Sequence, residues 1–180
     1  MEEALDRILV KMNPLGSEFV HISETEGRVV SEPLIAGISL PPWDNSAMDG
    51  YAVRASDLTS ASPEVPAVLK CLGESPAGSV SDSVMVPGTC LRVFTGSPMP
   101  QGADAVVMQE DTRTMGESGE HVLVLDSVRP FESVRFKGED VKEGDALVSL
   151  GTRVSGFQAS LAMAAGLQRC SVHCRPRVGI

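Results

Sequence analysis

The sequence predicts a mainly β protein with two helices, an α+β fold. Three observations lead to this class. Seventeen glycines and 12 prolines are spread along the 180 residues, which favours tight turns over a helical bundle. Short apolar runs recur between those turn residues, as they do in small barrels and sandwiches. Only two segments have the apolar spacing of a helix.

The first of these two segments predicts an amphipathic helix at the start of the chain. Four apolar residues follow the spacing of one helix face: Leu5, Ile8, Leu9 and Met12. Asn13-Pro14 should end the helix. Three short strand candidates follow, at residues 19–22, 28–30 and 34–38, and Pro41-Pro42 then forces an extended segment.

From Trp43 to about Lys137 the pattern is entirely β. Six apolar runs are separated by Gly, Pro, Ser and Asp clusters, and they lie at residues 65–72, 84–86, 91–94, 105–108, 122–125 and 134–136. This spacing predicts a small barrel or sandwich. The acidic, Ser- and Gly-rich stretches 59–64, 73–83 and 115–120 are expected to be hairpin loops or edge turns.

The last elements are a strand at residues 146–150, the second helix, and a strand at residues 169–173. Ser155 and Gln158 form a capping-box signature at the start of the helix, and Gly166 is a natural stop. One apolar face is expected to consist of Phe157, Leu161, Ala164 and Ala165. Residues 177–180 resemble the first residues of a buried strand, so we expect a longer protein whose next part covers the first helix.

Composition excludes several classes of protein. The formal net charge of −9 repels a phosphate backbone, which argues against general nucleic-acid binding but leaves room for a local basic pocket. No apolar run approaches the roughly 20 residues that span a bilayer. The acidic start of the chain, where a signal peptide would be basic, predicts a cytoplasmic protein.

The four cysteines are expected to be reduced. Cys71 and Cys90 lie in apolar runs and should be small core residues. Cys170, His173 and Cys174 offer too few ligands for zinc, and a strand would place them on different faces, so no zinc site is expected.

The segment PPWDNSAMDGYAV, residues 41–53, is the densest in polar chemistry. It carries Asp44, Asn45, Ser46 and Asp49. Such a loop could position a polar ligand or a hydrated Mg²⁺, which takes one or two carboxylates and keeps several waters. The residues alone favour a simpler interpretation, an Asx-rich turn that satisfies its own backbone.

Two further segments could bind an anion. Thr95 and Gly96 end an apolar strand, where a hydroxyl and free N–H groups can receive an oxyanion, although a plain hairpin turn is the simpler alternative. Arg135 and Lys137 alternate on a predicted strand and would share one face, with Asp140 after a Gly turn. The alternative for this third segment is a solvated edge strand of mixed charge.

Taken together, these segments resemble the MoeA/gephyrin E-domain family of molybdopterin molybdenumtransferases. The resemblance rests on three blocks in order: PWDNSAMDGYAV at 42–53, RVFTGSPMP with GADAVVMQE at 92–110, and RFKGED with GD at 135–145. The first block is specific, whereas the shorter ones would be weak alone. Phe136-Lys137 departs from the family, whose members often have more arginine there.

The resemblance implies a domain arrangement. A small β-barrel-like domain of residues 43–137 would be inserted into an elongated, β-rich domain made of 17–42 and 138–175. The helix in residues 1–16 would pack on a pterin-binding α/β domain. Residues 176–180 would begin that α/β domain, the rest of which would be missing.

The resemblance also implies an activity, the insertion of molybdate into adenylylated molybdopterin with release of AMP. Full-length members are homodimers that use Mg²⁺, with a molybdopterin adenylyltransferase as the upstream partner. A non-catalytic interaction scaffold of the gephyrin type is the alternative function.

Roles for individual residues follow from the same resemblance. Asp49, Thr95 and Asp140 would be catalytic, and Asp49 and Asp140 would also hold the metal. Arg135, Ser46 and Lys137 would bind the substrate. Carboxylates suit a hard cation and a guanidinium suits an oxyanion, so the chemistry of the residues permits these roles.

Overall fold

The computed structural model describes residues 2–116 and 119–179, and within them the fold is mainly β with two helices, as predicted. The helices are α1 (Glu2–Leu9) and α2 (Gly156–Ala164). The strands in this part of the chain are β1 Ser17–His21, β2 Leu34–Ile35, β3 Asn45–Ser46, β4 Gly50–Val53, β5 Ala67–Ser75, β6 Thr89–Val93, β7 Ala105–Met108, β8 Thr112–Met115, β9 His121–Val124, β10 Val134–Arg135, β11 Ala146–Val148 and β12 Arg169–His173.

The chain forms two compact units. The second unit is the continuous segment Pro41–Asp140, and the first consists of the chain before and after it. The sequence prediction placed the second unit at residues 43–137, so the observed segment is slightly longer at each end. In the part of the chain that the structure describes, no helix has the length and apolarity needed to cross a membrane.

The first unit is built on short antiparallel pairings. β1 pairs with β12, with Ser17 opposite His173, and β2 pairs with β11. Residues 28–30, predicted as a strand, instead form isolated bridges from Val29 and Val30. One apolar core fills this unit: Ile22, Val30, Leu34, Val148, Val154, Ala159, Ala162, Cys170 and Val172.

The ends of α2 confirm the predicted cap and stop. Ser155 Oγ accepts a hydrogen bond from the N–H of Gln158 at 3.3 Å, and Gln158 Oε1 accepts one from the N–H of Ser155 at 2.9 Å. At the other end Gly166 has φ +90°, and the N–H of Leu167 donates to the carbonyl of Ala162. This is the geometry of a glycine-terminated helix.

The predicted apolar face of α2 was right at Ala165 and wrong at Phe157, Leu161 and Ala164. The helix turns Ala159, Ala162 and Ala165 inward, whereas Phe157 is 91% exposed and Leu161 is also exposed. The small alanine side chains let the helix backbone approach its neighbours closely, and larger residues on the strands fill the core. Hydrophobicity alone therefore identified the wrong face.

Helix α1 ends earlier than predicted, at Leu9 rather than near Met12. After Leu9 the N–H groups of Lys11 and Met12 bond to carbonyls three residues back, so the last turn tightens before Pro14. Its apolar residues Leu5 and Ile8 are more than half exposed.

The second unit is organised around one curled, half-barrel sheet. Its strand order is β7-β4-β6-β5-β9-β8, and only β5 and β6 are parallel. One face covers a core that includes Tyr51, Leu58, Leu69 and Val107, and the other face covers a smaller core around Leu91. A separate two-residue ladder pairs β3 with β10.

Three strand predictions in the second unit were wrong. Residues 84–86 form no strand, because Met85 is buried by a loop and bonds to the carbonyl of Gln101. β8 was predicted partly as loop, because the sequence TRTM has the polar pattern of an edge strand. β4 was assigned to a polar loop, yet all four of its residues are buried between β7 and β6.

Candidate active site

The three segments that the sequence analysis singled out meet at β3. The carbonyl of Ser46 accepts from the N–H of Gly96, and its N–H donates to the carbonyl of Ser97, both at 2.9 Å. On its other side β3 pairs with β10, with Ser46 opposite Val134 and Asn45 opposite Arg135. The two-residue strand β3 therefore lies between the threonine turn and the arginine strand and fixes both.

Asp49 and Thr95 form the first pair among the predicted site residues. Asp49 Oδ1 accepts hydrogen bonds from the backbone N–H of Thr95 at 2.8 Å and from its hydroxyl at 2.9 Å. These two bonds, and to a lesser extent the charge of Arg92, lower the pKa of Asp49 below its ordinary value of 3.8. The second oxygen, Oδ2, accepts no hydrogen bond from the described residues and faces solvent.

Arg135 and Asp140 form the second pair. Arg135 Nη2 lies 2.7 Å from each carboxylate oxygen of Asp140, and Arg135 Nε lies 3.7 Å from Glu139 Oε2. The bond to Asp140 raises the pKa of Arg135. The residues predicted as an anion clamp and as a metal ligand are therefore hydrogen-bonded to each other.

Lys137 does not share the strand face of Arg135 as predicted. β10 ends at Arg135, and Lys137 lies in a turn that continues through Gly138, which has φ +72°. The N–H of Lys137 donates to Asp44 Oδ1 at 2.7 Å, and the N–H of Gly138 donates to the carbonyl of Pro41. The turn stops the alternation that the prediction assumed.

Ser46 is fully buried and its hydroxyl is used within its own loop. Its Oγ donates to the carbonyl of Met48 at 2.5 Å and accepts from the N–H of Met48 at 3.3 Å. In this arrangement Ser46 shapes the loop that carries Asp49, and its hydroxyl does not face solvent.

The turn that leads into β10 is backbone-strained. Phe131 and Ser133 have φ of 67° and 57°, values that residues with a side chain rarely adopt. The carbonyl of Ser133 accepts from the N–H of Ala47 at 2.9 Å, which ties the strained turn to the loop carrying Asp49. Such strain often accumulates beside functional sites.

Sequence reasoning missed Arg92 as a member of this region. Its guanidinium lies 5.0 Å from the ring centroid of Tyr51 and 5.3 Å from that of Phe94, and it donates to the side-chain oxygen of Gln109. The N–H of Gln109 in turn donates to the carbonyl of Asp49 at 3.1 Å. The sequence feature that could have identified Arg92 is that it is the single arginine within the apolar run before Thr95.

The carboxylates offer a limited fit to a metal ion. Among residues 2–116 and 119–179, no group of three or more His, Cys, Asp and Glu side chains is arranged to hold one. Hydrated Mg²⁺ needs only one or two carboxylates plus substrate oxygens. The free Oδ2 of Asp49 meets that requirement, whereas both oxygens of Asp140 are engaged by Arg135.

Comparison with known proteins assigns the chain to one family. Residues 1–166 match the family model described as the MoeA N-terminal region, domains I and II. The chain is 37% identical over 164 residues to a molybdopterin molybdenumtransferase of Nostoc, covering 91% of this chain and 37% of that protein. It is 38% identical to molybdopterin molybdenumtransferase 2 of Mycobacterium tuberculosis, covering 88% of this chain and 38% of that one.

A solved structure supports the same assignment. The crystal structure of the molybdopterin biosynthesis moeA protein from Pyrococcus horikoshii OT3 superposes with a TM-score of 0.87 at 35% identity. The match covers 95% of this chain and 45% of that one. The chain thus spans less than half the length of these relatives.

Proposed function

This chain belongs to the MoeA N-terminal region family, and from that premise we propose that it supplies part of a site for inserting molybdenum into adenylylated molybdopterin, with release of AMP. The observation that carries the proposal is that β3 joins the segments of the two pairs, with Asp49–Thr95 held through the threonine turn on one side and Arg135–Asp140 through β10 on the other. A low-pKa carboxylate suits a hard cation and a guanidinium suits an oxyanion, the two kinds of group that a reaction of anionic substrates with Mg²⁺ requires.

The residues have distinct roles in this proposal. Asp49 would hold Mg²⁺ through its free Oδ2 while Thr95 fixes the orientation of the carboxylate. Mg²⁺ would supply charge neutralisation to the phosphate and molybdate oxygens. Ser46 would shape the loop, and Lys137 would contribute a positive charge at the edge.

In this proposal Arg135 would release its partner Asp140 and bind a substrate oxyanion in its place. Their ion pair is half-exposed, so a doubly charged oxyanion can compete with Asp140 for the guanidinium. The oxyanion would then be hydrogen-bonded to Arg135, and the released carboxylate of Asp140 would be free to bind a cation. This exchange reconciles the two predicted roles with the ion pair observed.

The remaining parts of the proposal rest on family resemblance alone. They are a homodimeric full-length protein, a molybdopterin adenylyltransferase as upstream partner, a cytoplasmic location, and a chain that is inactive without a pterin-binding domain.

A fusion experiment tests the proposal. This chain would be joined to the part of the Nostoc relative that lies beyond its matched segment, and expressed in bacteria lacking their own molybdenumtransferase. We expect the fusion, but not the chain alone, to restore the activity of a molybdenum-dependent enzyme. The Asp49→Asn fusion should lose most of that activity, and the Asp82→Asn fusion, changed at an exposed carboxylate in the same unit, should keep it.

The outcomes separate the two candidate functions. A folded, dimeric fusion that restores no activity would favour a non-catalytic scaffold of the gephyrin type. Equal activity of the Asp49→Asn and Asp82→Asn fusions would remove Asp49 from the site. Restored activity with the chain alone would refute the partial-site proposal.

A further inference from the structure

Arg92 lies at the centre of a set of contacts beside the candidate active site. Its guanidinium carbon lies 5.0 Å from the ring centroid of Tyr51 and 5.3 Å from that of Phe94, and its Nη2 donates to the side-chain oxygen of Gln109. Cation–ring contacts and charge-assisted hydrogen bonds are both directional and stabilising. Two rings and one amide therefore fix the guanidinium in place.

The strand order explains why these four side chains meet. In the antiparallel pairing of β4 with β6, Tyr51 lies directly opposite Arg92. Phe94 follows Arg92 by two residues, just past the end of β6, and Gln109 follows the end of β7, which pairs with β4 on its other side. The side chain of Arg92 thus reaches across β4 from β6 to the end of β7.

Two of the three partners of Arg92 are tied to Asp49. Tyr51 is two residues after Asp49, on the strand that begins at the next residue. The N–H of Gln109 donates to the carbonyl of Asp49 at 3.1 Å. Arg92 therefore holds the segment that carries Asp49 at two points.

The third partner is tied to Thr95. Phe94 immediately precedes Thr95, and its ring contacts the guanidinium of Arg92. The hydrogen bonds between Asp49 and Thr95 join residues that are 46 positions apart, so their geometry depends on tertiary contacts. Arg92 contacts the chain on both sides of these hydrogen bonds.

The acidic residues near Arg92 do not replace these partners. Glu74 lies opposite Arg92 in the pairing of β5 with β6, and Glu110 and Arg113 line the open cleft beside it. In the part of the chain that the structure describes, no carboxylate oxygen lies within 4 Å of a guanidinium nitrogen of Arg92. The guanidinium is thus held by the rings and the amide, and an ion pair does not compete with them.

We infer that Arg92 is a positioning residue, which fixes the geometry of the Asp49–Thr95 pair by joining the strand after Asp49 to the turn that carries Thr95. It acts through its three partners rather than on a substrate. The importance of Arg92 for catalysis rests on the function proposed above, whereas the joining of the two segments can be measured on this chain alone.

Amide hydrogen exchange, followed by NMR near neutral pH, tests the inference. Arg92→Met keeps the aliphatic stem but loses the guanidinium, and Arg113→Met, at the other arginine of the cleft, is the matched control. We expect the amides of Thr95 and Gln109 to exchange about tenfold faster in Arg92→Met, because local opening becomes easier. Both amides should exchange at the wild-type rate in Arg113→Met, and β9 should keep its rates in both variants.

Arg92→Lys gives a graded test. An ammonium group keeps the charge and can still donate to Gln109, but it lacks the planar group that stacks on the rings. We expect its exchange rate at Thr95 to lie between those of the wild type and Arg92→Met. Equal exchange at Thr95 in Arg92→Met and Arg113→Met would overturn the inference, and so would an equal acceleration at β9, which would mean that Arg92 stabilises the whole unit.

The fusion with the Nostoc relative separates this inference from the proposed function. We expect the Arg92→Met fusion to restore less molybdenum-dependent activity than the Arg113→Met fusion. An unsubstituted fusion without activity would count against the proposed function and leave the exchange result intact. Full activity of the Arg92→Met fusion in spite of faster exchange would show that the pair does not need Arg92, and would overturn the positioning role.

Discussion

The Nη2 atom of Arg135 lies 2.7 Å from both carboxylate oxygens of Asp140, five residues further along the chain. The turn at Lys137-Gly138 brings the two side chains together, since it reverses the chain directly after β10. The pair therefore depends on the turn as much as on charge. The turn thus places Arg135, predicted to bind an anion, next to Asp140, predicted to bind a metal ion.

Breaking this pair should have little effect on stability. Both side chains are about half exposed, and exposed ion pairs contribute little to stability. We expect a double-mutant cycle of Arg135→Gln and Asp140→Asn, measured by urea unfolding, to give a coupling free energy close to the error of the measurement. A coupling well above that error would mean that the pair helps to hold the fold.

The Asp49–Thr95 pair should make stability depend on pH in a defined direction. The pKa of Asp49 is lower in the folded protein than its ordinary 3.8. The stabilisation by the charged carboxylate is therefore fully present above the unfolded-state pKa and is lost as pH falls through the folded-state pKa. We expect the wild type to be more stable than Asp49→Asn from pH 7 to 5, and this advantage to shrink below 3.8.

Thr95→Val serves as the matched variant for this measurement. It removes the hydroxyl donor but keeps the backbone N–H that contributes most to the low pKa of Asp49. Its loss of stability should therefore be smaller and should follow the same pH dependence. An advantage of the wild type over Asp49→Asn that stays constant down to pH 2 would contradict the role of the charge.

Gly50→Ala should strongly destabilise the second unit. A Cβ at position 50 would lie 2.0 Å from the carbonyl oxygen of Val107, which is backbone of the adjacent strand β7 and cannot move aside as a side chain could. We expect a loss of about 3 kcal/mol or more in the free energy of unfolding by urea. Gly16→Ala, where an added Cβ meets no atom within 4 Å, is the control and should be nearly neutral.

Cys90 should resist alkylation in the folded protein. Burial, reinforced by the neighbouring Cys71 thiol, raises the pKa of Cys90 to about 12, and the side chain is fully inaccessible. Because the thiolate is the reactive form, iodoacetamide at pH 8 should label the partly exposed Cys71 and Cys174 before Cys90. Mass spectrometry should show Cys90 labelled only after urea unfolding. Labelling of Cys90 in the native state at the same rate as Cys174 would contradict the burial of Cys90.

The elements with strong local signals could be predicted from the sequence. The capping box of Ser155 and Gln158, the glycine stop at Gly166, and the strands β7 and β12 lie where their patterns placed them. These features depend on neighbouring residues alone. A short stretch of sequence is therefore enough to locate each of these elements.

Features set by distant neighbours could not be predicted in the same way. β4 lies in a segment that appears polar, and its burial depends on the strands on both sides of it. Asp140, Glu139 and Asp44 are all acidic residues around Arg135 and Lys137, and only the geometry of the turn selects Asp140 as the partner of Arg135. The position of Arg92 between two rings likewise depends on the pairing of β4 with β6.

The position of β3 has a consequence for the order in which the protein acquires its structure. Its flanking loop is closed by Thr95 from 46 residues away and by Lys137 from 93 residues away. Contacts of such long sequence separation form slowly, because the entropy of closing the chain must be overcome before they stabilise anything. The contact with Lys137 spans more residues than the strand pairings of the sheet, so we expect this edge of the candidate site to form after the sheet, whereas the contact with Thr95 spans no more than the pairing of Gly50 with Met108 and should form with it.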